Sequence, residues 1–150
     1  LVTAARQLFG YRGFHASISY DNDSAALAPP RRATALTHAR SRHLALIVAN
    51  GPRFGGGFLI APHASIDDGR LDVVRIADGS PWRRMAVFSA ATRGTHLAAP
   101  EVSSRPTGAL TLTFDAPPIF QADGELHQAE TSTVVVRCTA GALRLAVAAR

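Results

Sequence analysis

The segment from Asn50 to Val74, with the apolar run that precedes it, constrains this chain more than any other. Leu44–Ala49 is an unbroken apolar run, the pattern of a strand covered on both faces. Leu71–Ile76 is a second apolar run, and between the two lie Gly55-Gly56-Gly57, Pro52 and the pair Asp67-Asp68. The order reads as strand, glycine loop, short strand, acidic turn, strand. Such a density of residues with special backbone or turn chemistry means that the path of this loop is itself specified.

Elsewhere the elements are short. Leu1–Phe9 places Leu1, Ala4, Ala5, Leu8 and Phe9 on one helical face, with Gly10 as its stop. Phe14–Tyr20 alternates apolar and polar residues, the mark of a half-buried strand. Ala25–Arg31, with Pro29-Pro30, reads as a loop and candidate linker, and Arg32–Ala39 carries a weak strand pattern. Ser80 as N-cap and Pro81 at the first position open a helix that Gly94 closes. Trp82, Met85, Ala86, Ser89 and Ala90 line one side of it, with Trp82 and Met85 as anchors against a sheet. Glu101–Arg105, Ala109–Phe114, Ile119–Ala122, Thr133–Arg137 and Leu143–Val147 read as strands separated by Pro-, Gly- and Asp-rich turns. Many short strands around one interior helix predict a mainly β, β-sandwich-like domain with one or two helices.

The 150 residues suit one domain, and 47% apolar content suffices for a core. The chain opens at Leu1, inside an apolar pattern and without Met, which reads as a fragment of a longer protein. No apolar run reaches the roughly 18 residues needed to span a bilayer, and the single Cys138 fits a reducing cytoplasm and a place in a strand core. Net charge is +5, carried by arginine alone. Arg31-Arg32 and Arg83-Arg84 are the only doublets, and no aromatic residues interleave with them, so the clustered footprint of a nucleic-acid binder is missing.

Several residues could carry chemistry. The glycine run could cradle a phosphate, but neither a Walker nor a G-x-G-x-x-G spacing surrounds it, and a tight crossing of two strands is the plainer role. Asp67-Asp68-Gly69 offers oxygen ligands to a hard cation, but taken alone an Asp-Gly pair more often makes a hairpin turn. Glu125 follows Asp123-Gly124 at a strand tip. Partly desolvated there, a carboxylate could take a proton from an alcohol; residue chemistry alone favours an exposed charge beside a turn. The six histidines show no paired metal spacing.

Taken in order, Asn50-Gly51, Gly55-Gly56-Gly57-Phe58, Ile60-Ala61-Pro62-x-Ala64, Asp67-Asp68-Gly69-x-Leu71-Asp72-Val73, Gly94-x-His96, Asp123-Gly124-Glu125 and Gly141-Ala142-Leu143 form an ordered set. That set resembles the C-terminal domain of the diacylglycerol kinase catalytic family, bacterial lipid kinases that include sphingosine kinase relatives. The resemblance covers residues 44–147 well and residues 1–43 loosely.

The resemblance implies that residues 1–150 are the C-terminal domain of a two-domain lipid kinase, with a β-sandwich like that of NAD kinases. The N-terminal domain of the same protein would bind most of the ATP through a Gly-Gly-Asp-Gly-Thr loop, which is absent from these residues. It also implies that Glu125 is the base that deprotonates a diacylglycerol-like or sphingoid hydroxyl, and that Asp123 and Gly124 face the nucleotide. A structural Mg²⁺ would take Asp68 and the carbonyls of Ser65 and Arg70. The family usually carries an apolar residue at the position of Arg70, though a main-chain ligand makes the side chain immaterial. The partners implied are lipid, ATP and a membrane surface approached peripherally from the cytoplasm, with no nucleic acid and a homodimer left open. The fragment alone would be inactive. The alternatives are an NAD kinase-like domain, or a non-catalytic basic β-module binding nucleic acid or anionic membrane.

Overall fold

The computed structural model describes residues 10–21 and 36–143. The expected helix at Leu1–Phe9, the loop Ala25–Arg31 and the body of the strand expected at Leu143–Val147 lie outside them. Eight strands and one α-helix are described: β1 (Phe14–Asp21), β2 (Leu36–Ala49), β3 (Leu71–Ala77), α1 (Pro81–Ala91), β4 (Val102–Thr107), β5 (Ala109–Phe114), β6 (Ile119–Ala122), β7 (Glu125–Gln128) and β8 (Thr133–Arg137). A short 3₁₀ turn covers Thr95–Ala98. Six strands form one antiparallel sheet in the order β4-β3-β2-β1-β5-β8, and β6-β7 is a separate hairpin. The mainly β architecture with one helix is as expected.

β2 organises the fold. Its 14 residues join the weak pattern ending at Ala39 to the apolar run at Leu44. The first half pairs with β1, up to Phe14↔His43, and the second half pairs with β3, starting at His43↔Ala77. Register shifts flank this point, between Ala16 and Ile18 and between His43 and Ala45. Such bulges bend a strand and increase its twist. His43 is 1% exposed, and its Nε2 lies 3.1 Å from Ser41 Oγ and 3.3 Å from the Ala16 carbonyl.

The bend folds the sheet onto itself. Only Gly108 separates β4, an edge strand, from β5 beyond the centre of the sheet, so those strands must meet in space. Pro106 and Thr107, expected in the turn, are strand residues. Between the two layers, Val73 of β3 packs with Ile18, Tyr20, Leu110 and Leu112. The Arg105 guanidinium of β4 lies 4.8 Å from the ring centroid of Tyr20 on β1. Burial pushes the Tyr20 phenol above its ordinary pKa, and the charges of Arg75 and Arg105 partly oppose this.

α1 covers the outer face of β2 and β3, where Val74, Ile76, Val87 and Ala91 form a second core with half-buried Ala45 and Ile47. Leu44–Ala49 is thus apolar on both sides because it has a core on both sides. Ser80 takes the N-cap backbone conformation and Pro81 follows, although the Ser80 side chain makes no capping bond. The buried face differs from the expectation. Arg84, Val87 and Ala91 point inward, and Trp82 is 77% exposed. Arg84 is tolerated inside because Asp78 lies 2.7 Å away and the carbonyls of Gly79 and Tyr11 accept from it at 3.0 and 2.7 Å.

Candidate functional site

Three places concentrate the residues singled out by sequence. The first is the β6-β7 hairpin. Its turn is Asp123-Gly124, with φ of 48° and 97°. Positive φ at both central residues marks the turn that matches strand twist in a two-residue hairpin, and Asp-Gly suits it. Glu125 is the first residue of β7 and pairs with Ala122. Phe120 and His127 form the next pair on that face, their rings stacked at 5.5 Å and 27°. His127 was missed, although strand alternation from Glu125 would have placed it on the same side. Every residue of both strands is exposed. The described residues therefore do not supply the desolvation that the base reading of Glu125 invoked.

The second place is the acidic bend. Asp68 Oδ1 accepts the Arg70 N–H at 2.8 Å, a side-chain turn that fixes the chain around Gly69 at φ 68°. Ser65 Oγ donates to Asp67 Oδ1. A Cβ on Gly69 would come within 3.0 Å of the Ala140 side chain, so the bend sits tightly against the turn after β8. Nearby Asp72 is 7% exposed; burial first, then the charge of Asp68, pushes its carboxyl up, and His63 pulls it down. Among the described residues no cluster of three or more His, Cys, Asp or Glu side chains could hold a metal. The expected Mg²⁺ ligands, Asp68 and the carbonyls of Ser65 and Arg70, are hard oxygens of the kind that ion takes, with Asp68 Oδ1 accepting the Arg70 N–H.

These two places attach at opposite ends of the β5-β8 ladder. Gly69 meets Ala140 at the end of the β5-β8 ladder where Cys138 N–H donates to the Gly108 carbonyl. The β6-β7 hairpin leaves the same ladder at its other end, beyond Phe114 and Thr133. The six residues of β5 separate those ends by about 17 Å at ~3.3 Å per residue.

The third place holds the glycine run, whose role differs from a strand crossing. Gly55 and Gly56 have φ of 57° and 75°, and Phe54 and Phe58 exchange backbone hydrogen bonds of 2.9 and 3.0 Å across them. A Cβ at Gly56 or Gly57 would meet nothing within 4 Å. The run is a tight reversal, and it sets two phenylalanines side by side. Its exit is clamped: Leu59 N–H donates to the Ala91 carbonyl at 2.9 Å, and His96 Nε2 lies 3.0 Å from the Ile60 carbonyl. Gly94, at φ 73°, sits so close that a Cβ would be 2.7 Å from Leu59 Cδ2. Gly94-x-His96 is thus a clamp on the glycine loop.

Between this loop, α1 and the outer face of β2-β3 lies a cavity of about 350 Å³. Ala45, Ile47 and Ile76 form its floor, Val87, Phe88 and Ala91 one wall, and Phe54, Phe58 and Ile60 the other. Arg84 also lines it, but with its charge engaged by Asp78. The volume is within the range of small-molecule pockets, roughly 300–1,000 Å³. Sequence reasoning did not assemble it, though Phe54 and Phe58 flanking the glycines were a visible signal.

The described structure can be set beside known proteins. No curated protein matches the sequence. The fold resembles two solved structures from Bacillus anthracis, each of a protein proposed to be a diacylglycerol kinase. In one, identity is 15% and TM-score 0.56, with 91% of this chain and 38% of that one covered. The other gives 14% and 0.54, with 89% and 39% covered. At these identities the likeness concerns the fold, and the chain spans under two fifths of the length of either structure. A family model described as the YegS C-terminal NAD kinase beta sandwich-like domain matches residues 1–147, and the chain belongs to that family.

Proposed function

We propose that this domain is the lipid-holding half of an ATP-dependent lipid kinase. The observation that carries the reading is the apolar cavity under α1, whose hydrocarbon and aromatic walls suit an acyl or sphingoid chain. A dinucleotide would bring two phosphates to those walls, which favours the lipid over an NAD kinase-like role. The family and the fold of the diacylglycerol kinase-like structures support the same class.

In this reading the lipid chain enters the cavity and its hydroxyl reaches the cleft toward an N-terminal domain. Glu125 takes the hydroxyl proton as the oxygen attacks the γ-phosphorus of ATP, and ADP leaves. Closure of that cleft would dehydrate Glu125, which this domain alone leaves exposed. Asp123 and Gly124 face the nucleotide. Mg²⁺ at Asp68, with the carbonyls of Ser65 and Arg70, would stiffen the bend after the glycine loop; lying at the far end of the β5-β8 ladder, it plays a structural part. The protein works in the cytoplasm, peripheral to the membrane.

The test is transfer of labelled γ-phosphate from ATP to dispersed diacylglycerol or a sphingoid base by the full-length protein. Glu125→Gln should lower kcat by at least about 10²-fold, the scale of general-base catalysis, with an unchanged melting curve. No transfer to any lipid alcohol by the wild-type protein would remove the reading.

A further inference from the structure

Three aromatic residues that line the cavity also face solvent: Tyr11 and Phe54 are each 46% exposed and Phe88 is 42% exposed. Each has one side in the apolar cavity and one side in water. Phe88 is braced by Phe58, at 4.7 Å between ring centroids. Exposed arginines, Arg12 and Arg53, adjoin two of these aromatics in the chain. The net charge is +5.

We propose that this rim is a docking surface for an anionic phospholipid bilayer, through which a lipid passes into the cavity. The inference rests on the reading of the cavity as a lipid site and names the surface that serves it. Aromatic side chains with an apolar body and a wet edge are the residues that settle at the headgroup level of a bilayer. Arginines beside them complement anionic headgroups, and their attraction falls within a Debye length. A cavity whose mouth already lies at that depth lets a lipid leave the bilayer without crossing water. Among the described residues no helix is long and apolar enough to cross a membrane.

The experiment is co-sedimentation of the full-length protein with phosphatidylcholine vesicles, with and without phosphatidylglycerol. Binding should require the anionic lipid and weaken steeply with salt. Phe54→Ser with Phe88→Ser should lower partitioning about tenfold or more. Arg12→Gln with Arg53→Gln, which leaves the cavity walls intact, should lower it about tenfold as well. Both double variants binding like wild type would overturn the proposal. So would a phenylalanine variant that breaks a dimer without changing partitioning, since the rim would then be a subunit contact. The two readings fail separately: vesicle binding through this rim without lipid phosphorylation removes the kinase and keeps the surface. Phosphorylation of a dispersed short-chain acceptor without vesicle binding does the reverse.

Discussion

The rings of Phe58 and Phe88 stand 4.7 Å apart at an angle of 57°, one on the glycine loop and the other on α1. The pair spans the two walls of the cavity, so the loop conformation and the cavity shape are coupled. A tilted aromatic contact at this distance is worth about 0.5–1.5 kcal/mol beyond burial. The glycines set where Phe58 lies, the Gly94-x-His96 clamp holds the loop exit, and the helix carries Phe88.

That coupling gives Gly94 a measurable role. Gly94→Ala forces a Cβ into left-handed backbone and against Leu59. A left-handed non-glycine residue costs about 1–2 kcal/mol, and shifting Leu59 adds to it. Chemical denaturation should show a stability loss of at least that size. Gly57→Ala, where the added Cβ meets nothing and φ is not positive, should change stability by less than about 0.5 kcal/mol.

The Arg40–Asp115 pair supplies a pH test. Arg40 donates to both carboxylate oxygens of Asp115, at 2.9 and 2.5 Å, and His15 Nδ1 is 3.9 Å away. The hydrogen bonds from Arg40 hold the Asp115 carboxyl below the ordinary value of 3.8, burial opposes this, and the charges of Arg40 and His15 add to the lowering. A carboxyl depressed in the folded state stabilises above its unfolded pKa, and that contribution disappears as pH falls through the folded one. A carbon-detected NMR titration should place the Asp115 midpoint below 3.8, and Arg40→Gln should raise it. An unmoved midpoint would mean that the pair does not persist in solution.

The acidic bend offers a third check. Millimolar Mg²⁺ should raise the melting temperature of the wild-type protein, and chelation should reverse the shift, because an ion bound only by the folded state stabilises it by mass action. Asp68→Ala removes the one side-chain ligand in the set and should abolish the response. Equal responses in both proteins would place the ion elsewhere.

Much of the fold was legible where burial leaves a local pattern. Phe14–Tyr20 alternates because β1 has one face in a core, and Leu44–Ala49 does not because β2 has two. Pro81 marked the start of α1 through its own backbone. The inward face of that helix was not legible, because Arg84 is buried by Asp78 at the end of β3, a partner set by tertiary structure. β7 escaped notice because Glu125–Gln128 is exposed throughout and is held by its turn and its ladder. The family resemblance singled out Asp68 and Glu125 together, but only the folded-over sheet shows that their segments attach to opposite ends of one ladder.

The account stands on the cavity under α1 receiving the lipid chain. Ala45, on its floor, can be enlarged to Phe to fill that space, and the full-length protein assayed with ATP and long-chain diacylglycerol. KM for the lipid should rise about tenfold or more, in line with the transfer energy of a buried chain segment, while KM for ATP stays as in wild type. An unchanged KM for the lipid in a folded Ala45→Phe protein would contradict the account.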